Sequence, residues 1–171
     1  MTLADVPLIS VSVGRKTVFM AKEELFRSRM GGYFYGGMGS FPVYRDKLDR
    51  KAMRLAKQVL IEGWALVIFP EGTRSPDAKL QRALSGAALV AVRNDVPILP
   101  IGLVGTEKLV GTGWLLRHVN ITVNIGRPFK LTSVNNHLTK SELTEYTTSI
   151  MYRIAELLPE GYRGSYSIEK I

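Results

Sequence analysis

The chain of 171 residues contains no cysteine, which removes disulfide frameworks, thiolate nucleophiles and cysteine metal sites together. Histidine is almost as scarce. His118 and His137 are the only two, too little material for a histidine-built metal centre. No apolar run approaches the roughly 20 residues that cross a bilayer. The start does not read as a secretory leader either, because Asp5 and Pro7 interrupt it and no basic stretch precedes an apolar core. Also missing are a dense basic run, an internal repeat, a low-complexity linker and a Gly-rich loop ending in Gly-Lys-Ser/Thr.

What is present suits one folded domain over 1–171, with 46% apolar and 22% charged residues. The formal net charge of +8 points to an anionic partner. Nucleic acid, anionic headgroups, phosphorylated metabolites and acidic carrier proteins all fit it, as does a merely solvated basic surface. Charge alone does not choose among them.

Short apolar strands alternate with amphipathic helices. Strand patterns fall at Thr17–Ala21, Phe41–Tyr44, Trp64–Phe69, Pro97–Val104 and Val119–Ile125, and the third reads as a strand buried on both faces. Helical spacing covers Lys47–Glu62, stopped by Gly63, then Leu80–Arg93 and about Ser141–Leu158. Thr139 with Glu142 three residues on has the form of a capping box. The alternation implies an α/β fold: a three-layer domain with a mixed, largely parallel sheet flanked by helices. Met30–Phe41 stands apart, with five glycines, four aromatics and no charge. It reads either as a Gly-rich cover over the core or as an apolar surface for an acyl chain or a bilayer.

In sheets of this class, ligands bind beyond the carboxyl ends of strands. The sequence FPEGTRSP lies at such an end. Gly72 permits a sharp turn with exposed amides, Thr73 adds a hydroxyl, and Arg74 can fork two hydrogen bonds onto a phosphate. Glu71 would orient Arg74 or accept from a substrate hydroxyl. A second strand, in GSFPVYRD, delivers Arg45 in the same way. In VPILPIG, Pro97 and Pro100 surround an apolar strand and give it the irregular character of an edge. Taken singly, each stretch is also compatible with an ordinary surface turn or edge strand.

Together, GSFPVYR at 39–45, FPEGTRS at 69–75 and VPILPIG at 96–102 resemble three of the four motifs of the glycerophosphate/lysophosphatidate acyltransferase family. MAKEELF at Met20–Phe26 is similar to it as well, and the likeness covers roughly the first 110 residues. The resemblance implies a phosphate site from Arg45, Glu71, Gly72, Thr73 and Arg74 for a lysophosphatidate-like acceptor. Val96, Pro97, Ile98 and Pro100 would shape the acyl-donor side. The implied reaction moves a fatty acyl group from a thioester to a glycerol hydroxyl in phospholipid biosynthesis. Acyl-CoA or acyl-acyl carrier protein would be the co-substrate, with no other cofactor and no metal. An anionic membrane surface would be a partner and nucleic acid would not, which places the chain peripherally on the cytoplasmic side of a membrane.

The remaining motif of that family is a histidine followed, after four residues, by an aspartate, in which the histidine is the general base and the aspartate holds its ring. Asp5 matches the aspartate, and Met1 to Ala4 fill the gap, so the histidine is expected immediately before Met1. The resemblance thus implies a chain truncated just after its base and impaired as a catalyst. His118 follows LLR, away from all three motifs, and His137 lies in the polar stretch SVNNHLTK, so neither is assigned the role. A non-catalytic lipid- or phosphate-binding protein with the same pocket is the alternative. A nucleic-acid module is the rival of a different class, but the aromatics cluster in the uncharged 30–41 stretch rather than among basic residues.

Overall fold

In the computed structural model, the described residues are 4–26, 36–37, 39–44, 49–73, 75–109, 119–132 and 138–167. They form two compact units, 13–69 and 1–12 with 70–171.

The 13–69 unit is built on a three-stranded parallel sheet in the order β2-β1-β3, with β1 at Thr17–Lys22, β2 at Phe41–Val43 and β3 at Ala65–Ile68. Met20 of β1 stands opposite both Phe41 and Ile68, which fixes the two registers. β1 is the central strand and holds the core, with Val18 and Phe19 only 4% and 2% exposed. All of β3 is intermediate in burial, so the strand read from sequence as covered on both faces is a partly exposed one. Its apolar run reflects a position beside β1, where Phe69 just beyond it stacks on Phe19 with ring centroids 6.4 Å apart.

Helix α2, Arg50–Ile61, starts where Asp49 accepts hydrogen bonds from the Lys51 and Ala52 amides, both 3.0 Å. It is shorter than the Lys47–Glu62 pattern because this cap sets the first turn, and the stretch before it lies outside the described residues. Ala52, Ala56 and Val59 form its buried stripe, small enough to let the helix lie close against β2 and β3. Gly63, at φ 74°, follows its last turn, as the sequence suggested.

The other unit begins with α1, Asp5–Val13, which buries Asp5, Val6 and Ile9. Helix α3 covers Gly86–Asn94. The helical pattern from Leu80 is corrected here: residues 80–84 are not helical, because their amides bond to other segments rather than to each other. Strands β4, Ile101–Val104, and β5, Thr122–Ile125, pair antiparallel, and an isolated bridge joins Ile98 to Phe129 beyond them. The strand patterns from Pro97 and from Val119 are therefore regular only in their final four residues.

Helix α4, Lys140–Ala155, carries the expected capping box in full: Glu142 N–H donates to Thr139 Oγ1 at 3.2 Å and Thr139 N–H donates to Glu142 Oε2 at 2.8 Å. Its inner face joins Leu80, Met151, Ala155, Leu158 and Tyr166 into the core of this unit. Two short 3₁₀ turns, Glu160–Tyr162 and Gly164–Tyr166, complete it. Among the described residues, no helix is long and apolar enough to cross a membrane.

Candidate active site

Asp5 occupies the first position of α1 and is 1% exposed. The first turn of a helix carries amides without an intrahelical partner, so a carboxylate is well suited to that position. Asp5 is more deeply buried than Phe41 of the GSFPVYR stretch, which is 8% exposed.

The second cluster follows β3. Pro70 and Glu71 make a turn, and Gly72 takes φ 67°, a left-handed conformation that glycine adopts without a Cβ clash. Thr73, next to it, is exposed. Glu71 is half-buried, and its Oε2 accepts from the Gln81 amide at 2.9 Å. One carboxylate oxygen is thus bonded to the main chain ten residues on.

Burial raises the Glu71 pKa above its ordinary 4.5, and the Gln81 amide opposes that shift without cancelling it. The sign follows from linkage. A carboxyl with a raised folded-state pKa contributes stability fully present below about 4.5 and lost as pH rises through the folded value. Glu71→Gln keeps an oxygen for the Gln81 amide and removes the charge. It should therefore be the more stable protein relative to wild type at neutral pH than at pH 4, measured by denaturant unfolding at both. An unchanged difference across that range would contradict the assignment.

Between Glu71 and Gln81 the chain closes a small loop around Asp77. Asp77 Oδ1 accepts from Ser75 Oγ at 2.9 Å, the Lys79 amide at 3.2 Å and Gln81 Nε2 at 3.3 Å. The Gln81 side chain also donates to Lys79 O at 3.1 Å. The Ser75 hydroxyl is the main reason the Asp77 pKa is lowered, with the Lys79 amide second. Gln81 was not singled out from the sequence. The available signal was the spacing SPDAK, an Asp with a hydroxyl before it and an amide two residues after, as in an Asx turn.

The VPILPIG stretch is irregular, as its prolines require. Asp95, at φ 48°, ends α3, and the Val96 amide bonds back to Ala91 O at 3.2 Å. Ile98 exchanges two hydrogen bonds with Phe129, 2.7 and 3.0 Å. Pro97 is exposed, Val96 and Ile98 are intermediate, and Pro100 is buried and accepts from the Gly126 amide at 2.9 Å. Arg45, Arg74, His118 and His137 lie outside the described residues, as does most of the 30–41 stretch.

A groove of about 700 Å³ lies at the other end of the parallel sheet, against Lys16 and Thr17 at the start of β1, Phe41 at the start of β2, and Gln58, Glu62 and Trp64 around the end of α2. It is at the amino ends of the strands, not the carboxyl ends where this class of sheet places ligands. Among the described residues, no group of three or more metal-ligating side chains comes together.

These features define an α/β protein whose parallel sheet runs at β3 into a Gly-bearing turn, with a buried aspartate at a helix start. The family model described as Acyltransferase matches residues 1–104, a span that takes in Asp5, Arg45, the 71–74 turn and 96–100. Similar proteins include the 1-acyl-sn-glycerol-3-phosphate acyltransferase LPAT1, chloroplastic, of Arabidopsis thaliana, 33% identical over 69% of this chain and 34% of its own length. The 1-acyl-sn-glycerol-3-phosphate acyltransferases of Streptococcus pneumoniae (strain ATCC BAA-255 / R6) and Bacillus subtilis (strain 168) are 32% and 30% identical. They match over 70% and 81% of this chain and over 43% and 67% of their own lengths. The crystal structure of the 1-acyl-sn-glycerophosphate (LPA) acyltransferase PlsC from Thermotoga maritima superposes with a TM-score of 0.59 at 26% identity, covering 91% of this chain and 61% of that one. The chain belongs to this acyltransferase family, and it spans about a third of the length of the chloroplast relative.

Proposed function

We propose that the chain carries the acceptor-binding part of an enzyme that transfers a fatty acyl group from an acyl thioester to the hydroxyl of a lysophosphatidate-like glycerophospholipid. The observation that carries this reading is the single family match that takes in Asp5, the 71–74 turn and 96–100 together. In support, the relatives are named for acylation of 1-acyl-sn-glycerol-3-phosphate.

In the proposed chemistry a histidine removes the proton from the acceptor hydroxyl as its oxygen attacks the thioester carbonyl. The departing thiolate then takes that proton back. Asp5 would hold the imidazole in the tautomer that accepts at the right nitrogen. The motif's spacing puts that histidine five positions ahead of Asp5, so a form carrying histidine there should turn over faster than one carrying alanine. Arg45, Glu71, Gly72, Thr73 and Arg74 would form the phosphate site, Glu71 tying the turn to the Gln81 amide, and Val96, Pro97, Ile98 and Pro100 would border the acyl donor. Acyl-CoA or acyl-acyl carrier protein suits the donor role and an anionic membrane surface suits the setting, because all are negatively charged and the chain carries +8.

The test is binding of 1-oleoyl-lysophosphatidate by the chain and by Arg74→Ala. A charge-assisted phosphate contact removed should weaken binding about tenfold or more while the melting temperature stays within a few degrees. A large loss of stability with unchanged binding would count against the pocket.

A further inference from the structure

The stretch 80–84 has its amides held alternately from two sides. Leu80 N–H donates to Tyr162 O at 2.8 Å and Ala83 N–H to the Tyr166 hydroxyl at 3.3 Å, so these two face the C-terminal turns. Gln81 N–H donates to Glu71 Oε2 and Leu84 N–H to Pro70 O, each 2.9 Å, so these two face the motif turn. The ribbon is therefore a strap with one edge on each structure. Gly164 fits against it so closely that a Cβ there would stand 2.3 Å from Leu80 O, at a backbone φ of 51° that already favours glycine.

The C-terminal turns are themselves well held. Tyr166 is 9% exposed and meets Tyr152 of α4 edge-on, with centroids 5.7 Å apart. The Tyr162 hydroxyl donates to Glu107 Oε1 at 2.7 Å, and Glu107 Oε2 accepts from the Gly105 amide at 3.1 Å. A rigid support on one edge of the strap and a ligand turn on the other make the strap a means of setting where the turn sits.

We propose that the C-terminal turns 160–166 position the acceptor turn, with Tyr166 and Gly164 as positioning residues that act through the 80–84 strap. The assignment of 71–74 to the acceptor rests on the function proposed above. The coupling itself does not.

Tyr166→Phe is the sharpest variant, because it keeps the ring and its packing and removes only the hydroxyl that accepts from Ala83. Amide exchange should then speed up at Ala83 and also at Gln81 and Leu84, which Tyr166 does not bond. Binding of 1-oleoyl-lysophosphatidate should weaken about three- to tenfold, with oleoyl-CoA binding unchanged. Gly164→Ala should act the same way and more strongly. Should it fail to fold, Tyr166→Phe still decides the matter.

Faster exchange confined to Ala83 would overturn the proposal, since the strap would then transmit nothing. So would an equal loss of acceptor and donor binding alongside a lowered melting temperature, which is what mere core damage produces. If the unsubstituted chain binds no lysophosphatidate, the acceptor assignment fails, and exchange at Gln81 and Leu84 alone decides the coupling: faster supports it and unchanged overturns it.

Discussion

Asp5→Asn, made in a chain with a histidine joined immediately before Met1, is expected to lower acyl transfer about 10²–10⁴-fold, the range typical of a disabled general base. The reasoning starts from burial. At 1% exposure, a carboxylate at the start of α1 has a defined environment and cannot swing out to solvent. Asparagine keeps the size and the ability to serve a helix start, so the fold should survive. What it loses is the charge that steadies an imidazolium and the acceptor that selects the tautomer. If Asp5 instead serves only the helix, asparagine should cost about 0.3–1 kcal/mol through the lost dipole interaction and leave the rate unchanged. Rates and melting curves on the same pair of proteins separate the two cases.

The largest effect on stability is expected at Phe19. It lies in the middle strand of the parallel sheet, 2% exposed, with Phe69 stacked against it. Phe19→Ala removes a buried ring and leaves a cavity that flanking strands fixed by their ladders can fill only in part. The expected cost is about 3–5 kcal/mol, a large share of the 5–15 kcal/mol that holds a typical domain together. Urea unfolding should show the midpoint falling sharply with little change in slope. A loss under about 1 kcal/mol would mean that β1 is not the centre of this unit's core.

The three parallel strands were legible because their apolar runs are short, bounded by polar or glycine residues, and rich in β-branched and aromatic side chains. The capping box at Thr139 was legible because its spacing alone specifies the hydrogen bonds. Leu80–Leu84 misled for a definite reason. Its apolar positions continue the stripe of α3, yet Glu71, Pro70, Tyr162 and Tyr166 supply acceptors for its amides, and those residues lie ten or more positions away. Periodicity carries no record of such partners.

Helix α1 went unread because DVPLISVSV places Pro7 and several β-branched residues in it, although Pro is tolerated in a first turn. At the candidate site, FPEGTRS read as a turn at a strand end, and the left-handed Gly72 after β3 makes that turn. The use of Glu71 did not show in the sequence. A carboxylate beside Gly-Thr-Arg looks like a ligand or an arginine's partner, and only the folded loop brings the Gln81 amide to it. The last 60 or so residues held no family signal, but their turns and α4 form the support behind the strap.

The most direct test of the proposed chemistry compares two forms of this chain, one preceded by a single histidine and one by a single alanine, assayed for oleoyl transfer from oleoyl-CoA to lysophosphatidate. The expected result is a rate about 10²–10⁴-fold higher with histidine, at equal lysophosphatidate binding. Equal rates with intact binding would contradict the pairing of Asp5 with an imidazole and leave a protein that holds the lipid without acylating it.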